Sequence, residues 1–553
     1  MEQIPSFNQY IEDSVIKFWD KDAFTDYKGA TLQFHDVARK IEKLHIMFEN
    51  SGVKRGDKIA LCGRNSSHWA VAFLATLTYG AIAVPVQNEF TPEQIHNIVN
   101  HSESKLLFVG DVVCTQVNPD MMPALEGIVY LPDFSIVISR SEQLTFAREH
   151  LNEIFGKRYP KYFRKEHIHY YKEQSPEELA MINYTSGTTG FSKGVMLPYR
   201  ALWGNIDYVL KCLAPNVKPG SNLVSILPMA HMYGLAVEFL FGFINGCHLY
   251  FLNRMPSPSL IAEAFAEVKP RLIVAVPLVI EKIIRRKVLA EVQTNRMKLL
   301  LNMPVINKKI KQHIRDRIME AFGGNAFEII VGGAPLNQGI EEFLNSVGVP
   351  VTIGYGTTET APLITFANYD KYKIASCGPV VDHMEAKVVS PDPANVPGEL
   401  IARGMNVMLG YYKNEEATNA VLDKDGWFHT GDLATMAPSG HIYIKGRIKN
   451  MLLGANGQNV YPEEIEDKLN NMPLVGESII IQRDTKLVAL VHPEIEDKEA
   501  MDFDDDDVKG IMDENLKTLN NQLPPFCKIA AIEIQKEEFQ KTAKKSIKRY
   551  LYK

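Results

Sequence analysis

Tyr184-Thr185-Ser186-Gly187-Thr188-Thr189-Gly190-Phe191-Ser192-Lys193-Gly194-Val195 follows the apolar Ala180-Met181-Ile182, so a short buried strand runs into a loop of hydroxyls and glycines with one cation. Glycines allow left-handed backbone and bring peptide N–H groups close to an anion. The hydroxyls add donors that turn freely, and Lys193 adds a compact point charge. This set suits a polyphosphate. The Walker A pattern G-x-x-x-x-G-K-[ST] does not fit. Counted from Gly187, its second glycine falls on Ser192, and Gly194 follows the lysine instead of preceding it. The plain alternative is a serine- and glycine-rich surface turn.

Either side of this stretch, strands and helices alternate. Lys58 to Cys62, Ala81 to Val86 and Lys105 to Val109 read as strands. His68 to Tyr79 is helical between them, and Thr91-Pro92-Glu93 opens the next helix with a cap residue and proline in the first turn. That order implies a parallel, doubly wound α/β sheet. Before it, Tyr10 to Glu49 reads as helix, turn and helix. After it come a helix over Tyr199 to Leu213 and strands at Leu223 to Leu227, Arg271 to Val276, Phe327 to Val331 and Val351 to Ile353. The aromatic and basic cluster from Lys157 to Tyr171 reads as a solvated excursion, with a peripheral membrane contact as its functional alternative.

Composition bounds the rest. At 553 residues, two or more units are expected, and 46% hydrophobic with 23% charged residues is ordinary for a globular protein. A net charge of −6 argues against nonspecific nucleic-acid binding. The six cysteines form no C-x-x-C pair, which suits a reducing compartment. Met1 to Ser6 lacks the regions of a signal peptide. Leu235 to Leu252 is interrupted by Glu238, Asn245, Gly246 and His248, so it reads as a buried helix passing into a strand. A cytoplasmic protein is expected.

Three further loops follow strands. His231, in Pro228-Met229-Ala230-His231-Met232-Tyr233-Gly234, stands where α/β sheets bind ligands. Gly332-Gly333-Ala334-Pro335 and Gly354-Tyr355-Gly356-Thr357-Thr358-Glu359-Thr360 suggest a flat ligand over exposed backbone. Tyr355 offers a stacking face there, and Glu359 is a carboxylate suited to Mg²⁺. From about residue 376 to 445 the texture becomes short strands and turns, a small β-rich subdomain. It contains Thr430-Gly431-Asp432, whose carboxylate is able to accept both ribose hydroxyls, with an Asx turn as the plain reading. Ser478 to Gln482 and Lys486 to His492 read as a strand pair, and Asp502 to Asp507 as a solvated loop.

Together these motifs resemble the signatures of the adenylate-forming superfamily, which includes acyl-CoA synthetases, luciferases and peptide-synthetase adenylation domains. The opening loop matches its phosphate signature, and Pro-x-x-His-x-x-Gly matches the segment bordering its acyl pocket. Gly446-Arg447-Ile448-Lys449-Asn450 is similar to its hinge. Asn456 to Glu466 and Thr357 to Pro362 are similar to the bacterial fatty acyl-CoA synthetases.

The resemblance implies a large nucleotide-binding domain over 1–447 and a small mobile domain over 448–553. It implies ATP, Mg²⁺ and CoA, and a medium- or long-chain fatty acid joined first to AMP and then to CoA. Phosphates fall to Thr185, Ser186, Gly187, Thr188, Thr189, Gly190 and Lys193. The adenine falls to Gly333, Ala334, Pro335, Gly354, Tyr355, Gly356, Thr357 and Thr358. Asp432 and Arg447 take the ribose, Thr185 and Glu359 the metal, and Lys449 the pivot.

The catalytic lysine is where the chain departs from the family. In Lys541-Thr542-Ala543-Lys544-Lys545-Ser546-Ile547-Lys548-Arg549, Ser546 occupies its position without gaps. Lys545 is the assignment, with Lys544 and Lys548 open. An acyl carrier protein as acceptor and a non-catalytic nucleotide-binding homologue are the competing readings. A homodimer also stays open.

Overall fold

The computed structural model describes residues 4–185, 192–284, 304–453, 458–483, 486–494, 505–541 and 547–552. Leu179–Thr185, the strand before the glycine-rich loop, lies in an eight-stranded sheet. Its order is Gly410–Tyr411, Lys193–Pro198, Leu179–Thr185, Ile82–Val86, Lys58–Cys62, Ser104–Val109, Gly127–Tyr130 and Ile136–Ser139. The central strands run parallel, and both edges finish antiparallel. Every residue of Ile82–Val86 is buried, as expected where helices cover both faces of a parallel sheet.

A second sheet of seven strands is ordered Val351–Ile353, Glu328–Val331, Leu272–Ala275, Asn222–Ser225, His248–Phe251, Asp22–Asp26 and Thr31–Gln33. One apolar core spans both sheets. Within it the helix Ser67–Tyr79 is buried almost all round, and Trp69 stacks on Phe73 with ring centroids 5.4 Å apart. Burying each such large apolar side chain stabilises the fold by about 1.5–3 kcal/mol. The helix Pro92–Ser102 starts as its sequence requires. Thr91 accepts the Gln94 N–H, and the Gln94 side chain accepts the Thr91 N–H at 3.0 Å.

Met384–Val389, Gly398–Gly404, Phe428–Met436 and Ile442–Arg447 form the antiparallel β-rich sheet. Near the C-terminus, Val475–Arg483, Lys486–Pro493 and Ile529–Ile534 form a three-stranded sheet. The helices Pro462–Asn470 and Asp505–Gln522 pack on it around a separate core that includes Ile465, Leu469, Ile480 and Leu519. Among the described residues, no helix is long and apolar enough to cross a membrane.

Two local expectations need correction, and a third gains detail. The turn expected within Tyr10 to Glu49 holds two strands, Asp22–Asp26 and Thr31–Gln33, and the first pairs with His248–Phe251. A five-residue strand stabilised by a partner over two hundred residues away, with a three-residue edge strand folded back on it, carries little local signal. The Lys157 to Tyr171 cluster is exposed over most of its length, as a solvated excursion should be, and it is tethered at a few points. Ile168 and Tyr170 are buried, Arg158 pairs with Glu42 and Glu49, and Phe163 packs on Trp19. Asp505 to Asp507 begin the helix Asp505–Gln522 instead of lying in a loop. Acids at a helix N-terminus are favoured by the macrodipole.

Candidate active site

The hairpin of Leu179–Thr185 and Lys193–Pro198 sets Thr185 directly opposite Lys193. Ser186, Gly187, Thr188, Thr189 and Gly190 lie outside the described residues. The two-residue strand Gly410–Tyr411 pairs with Met196 and Val195, bringing the Tyr411 ring beneath Lys193, whose Nζ is 4.8 Å from the ring centroid. The Tyr411 hydroxyl donates to Glu359 Oε1 at 2.8 Å. Thr185, Lys193, Glu359 and Tyr411 thus share one wall of a cavity of about 3180 Å³.

The strand Val351–Ile353 hands over at Gly354 to a short hairpin, Tyr355–Gly356 with Leu363–Thr365. Gly356 is required there, because a Cβ would stand 1.7 Å from the Pro362 carbonyl oxygen. The hairpin delivers the Tyr355 hydroxyl to Asp432 Oδ2 at 2.5 Å. Arg447, opposite Asp432 in the neighbouring strand, forms an ion pair with it, Nε to Oδ1 2.9 Å. Burial pushes the Asp432 carboxyl above its ordinary range, and Arg447 and the Tyr355 hydroxyl oppose that shift. A carboxylate offers about four acceptor positions, so the Tyr355 hydroxyl and the Arg447 charge leave capacity for a diol. Thr357 and Thr358 continue the same wall, and Gly333, Ala334 and Pro335 line it from the neighbouring loop. Gly333 has φ +84°, the left-handed region natural to glycine.

Beyond the strand Asn222–Ser225 the cavity turns apolar, lined by Ile226, Leu227, Tyr233, Val237, Ile261 and Val276. His231 borders it, and its Nδ1 accepts the Tyr233 N–H at 3.3 Å. The Tyr233 hydroxyl donates to the Ile330 carbonyl at 3.1 Å. Residues Gly234–Leu240 form a π-helical turn, a distortion often found at functional sites. Glu238 within it is buried. It accepts the Ser225 hydroxyl at 3.1 Å and the Ile226 and Leu227 N–H groups at 3.2 Å each. Burial drives its carboxyl well above the usual range. Asn65 secures the same loop, donating to the Leu227 carbonyl at 2.6 Å and accepting the Met229 N–H at 2.9 Å.

Lys449 lies in the short 3₁₀ turn Ile448–Asn450 and lines the cavity. Burial, and then Arg447, lower the pKa of its ammonium. Asn450 donates to Glu463 Oε1 at 2.7 Å across the turn. At the far end, Lys541 pairs with Ile547 in an antiparallel bridge and with Glu477 at 2.7 Å. Lys544 and Lys545 lie outside the described residues. Lys548 lines the cavity, and its N–H bonds the Gln540 carbonyl at 2.8 Å.

Three residues that shape the site were not singled out for it from sequence. Tyr411 sits in a two-residue strand with no periodic signal. Asn65 is one asparagine in a polar turn. Glu238 looks like an interruption of an apolar run, and only its unusual burial marks it.

Residues 11–412 match the family model described as AMP-binding enzyme, and residues 449–552 match that of the AMP-binding enzyme C-terminal domain. A long-chain-fatty-acid–CoA ligase of Escherichia coli O157:H7 is 31% identical over 507 residues, covering 86% of this chain and 82% of that protein. The long-chain-fatty-acid–CoA ligase ACSBG2 of Rattus norvegicus is 25% identical over 545 residues, 93% of this chain and 77% of its own. ATP-bound MatB from Rhodopseudomonas palustris superposes with a TM-score of 0.75 at 23% identity, over 99% of this chain and 98% of that one. The anthranilate CoA ligase AuaEII with anthranoyl-AMP gives 0.78 at 17% identity, over 99% and 97%. The last two show likeness of fold.

Proposed function

The chain belongs to the AMP-binding enzyme family, within the adenylate-forming superfamily, and on that premise we propose that it is an acyl-CoA ligase acting on a medium- or long-chain fatty acid. The observation that carries this reading is the single cavity that joins the Tyr355–Asp432–Arg447 and Lys193–Tyr411–Glu359 groups to an apolar lobe beside His231. A nucleotide needs the first part and an alkyl chain the second.

A carboxylate oxygen is a poor leaving group, so the acid must first be activated. Its oxygen attacks the α-phosphorus of ATP, a new O–P bond forms, and the bond to the β-phosphate breaks to release pyrophosphate. This nucleophile loses no proton, so positioning and charge neutralisation are the protein's tasks. Asp432 and Arg447 hold the ribose, and Tyr355 both orients Asp432 and presents its ring to the base. Thr185 to Gly190 with Lys193 hold the leaving phosphates. His231 borders the entering carboxylate, and Lys545 bridges it to the α-phosphate. The CoA thiolate then attacks the acyl carbonyl carbon and expels AMP.

Mg²⁺ commonly binds through one or two carboxylates and substrate phosphates. Glu359 suits it: a carboxylate on the cavity wall, oriented at one oxygen by Tyr411, near the hairpin that carries Thr185. When bound, the ion offsets phosphate charge. We divide the chain at Arg447 and Ile448, with Lys449 as the pivot that lets residues 448–553 serve each half-reaction in turn.

Carboxylate-dependent ATP–pyrophosphate exchange, run with acids from acetate to palmitate and with aryl acids, tests the reading. A maximum among medium or long alkyl acids supports it, and CoA against holo-carrier protein then identifies the acceptor. Exchange with aryl acids alone would replace the substrate assignment, and no exchange with any acid would remove the ligase.

A further inference from the structure

Glu359 and Lys193 reach the cavity from segments 166 residues apart in sequence, and a third segment ties them together. The Met408 N–H donates to the Glu359 backbone carbonyl at 2.8 Å. The next residues join the other side: the Leu409 N–H bonds Met196 at 2.9 Å, and the Tyr412 N–H bonds Gly194 at 2.7 Å. Residues 408–412 therefore bridge the backbone at Glu359 to the strand that begins with Lys193.

Between these two anchors the chain is tightly seated. Gly410 has φ +139°, and a Cβ there would approach Thr418 Cγ2 to 2.7 Å. The Thr418 hydroxyl also accepts the Tyr411 N–H at 2.8 Å. Tyr411 is itself 6% exposed, so its ring has one place to go. There its face lies under the Lys193 ammonium and its hydroxyl meets Glu359 Oε1. One side chain thus engages a cation through its ring and a carboxylate through its oxygen. An aromatic face attracts a nearby ammonium, and a hydroxyl bonded to a carboxylate fixes its plane.

We propose that Tyr411 is a positioning residue that sets Glu359 and Lys193 relative to each other, so that divalent ion and polyphosphate are received in a fixed geometry. The inference rests on the ATP-binding reading of this cavity. The two functions of the side chain are separable. The ring alone serves Lys193, and the oxygen alone serves Glu359.

Tyr411→Phe removes the hydroxyl and keeps the ring, whereas Tyr411→Leu removes both. Two readouts follow each variant: the Mg²⁺ concentration giving half-maximal exchange, and the Kd for ATP in EDTA by calorimetry. The phenylalanine variant should need about tenfold more Mg²⁺, the loss of about one charge-assisted hydrogen bond, with the metal-free Kd for ATP held. The leucine variant should show the same Mg²⁺ shift and, in addition, several-fold weaker metal-free ATP binding. A purely structural tyrosine would move both readouts together in both variants, or neither in phenylalanine, and either result overturns the proposal. A leucine variant that fails to fold leaves the phenylalanine result decisive. Wild-type protein that binds no ATP overturns the nucleotide reading and the proposal with it. Normal wild-type binding with an unchanged Mg²⁺ requirement in Tyr411→Phe overturns the proposal alone.

Discussion

At the polar end of the cavity each charged group is oriented by another side chain that also faces the cavity: Asp432 by Tyr355 and Arg447, and Glu359 by Tyr411. At the apolar end the wall is oriented from behind. Glu238 and Asn65 fasten the backbone of residues 225–229, while the surface toward the cavity is Ile226, Leu227, Tyr233 and Val237. In the proposed function the first arrangement serves the reaction and is indifferent to the acid. The second, in the same reading, serves the shape of the acid and takes no part in bond making. Changes at the two ends should therefore fail in different ways.

The largest effect is expected at the polar end. Glu359→Ala should lower exchange for every acid alike, by roughly 10²–10³-fold, the cost of losing one preorganised electrostatic group. A loss confined to long acids would break the comparison. At the apolar end, Val237→Phe adds bulk to the lobe and should depress the longest acids by roughly tenfold or more while short acids change little. Exchange rates across the acid panel check both, and a uniform fall in Val237→Phe would place that residue with the chemistry.

The smallest catalytic effect is expected from a buried carboxylate that reaches neither end. Glu328 accepts the Thr352 hydroxyl at 2.9 Å inside the second sheet, and burial raises its pKa from the ordinary 4.5 to about 7. Because the folded state holds this proton more tightly, its contribution is complete below pH 4.5 and is lost as pH rises to about 7. That window amounts to roughly 3 kcal/mol at about 1.4 kcal/mol per unit. In Glu328→Gln, denaturant unfolding should lose that part of its pH dependence while acid preference stays put. An unchanged pH profile would show the carboxyl to be ionised and differently satisfied.

What the sequence revealed follows the range of the interactions involved. Lys58–Cys62, Tyr199–Leu213 and Val351–Ile353 stand at their expected bounds because apolar patterning and caps are local signals. The loop residues at 354–359 and Asp432 are legible for a related reason: glycine and acid at strand ends are visible one motif at a time. Tyr411 is not, since its meaning depends on Glu359 and Lys193, 52 and 218 residues away. The strand Asp22–Asp26 depends on His248–Phe251 in the same way. Glu238 shows in sequence only as an interruption of an apolar run, and the three donors that satisfy it inside come from the separate segment Ser225 to Leu227.

The central claim is that a carboxylate oxygen forms a bond to the α-phosphorus of ATP in this cavity. Supplying a fatty acid labelled with ¹⁸O in both carboxylate oxygens, with ATP, Mg²⁺ and CoA, tests it directly by mass spectrometry of the products. One ¹⁸O should appear in the phosphate of AMP, with none in pyrophosphate and one retained in the thioester. Label in inorganic phosphate with ADP as the nucleotide product, or unlabelled AMP, would contradict the account.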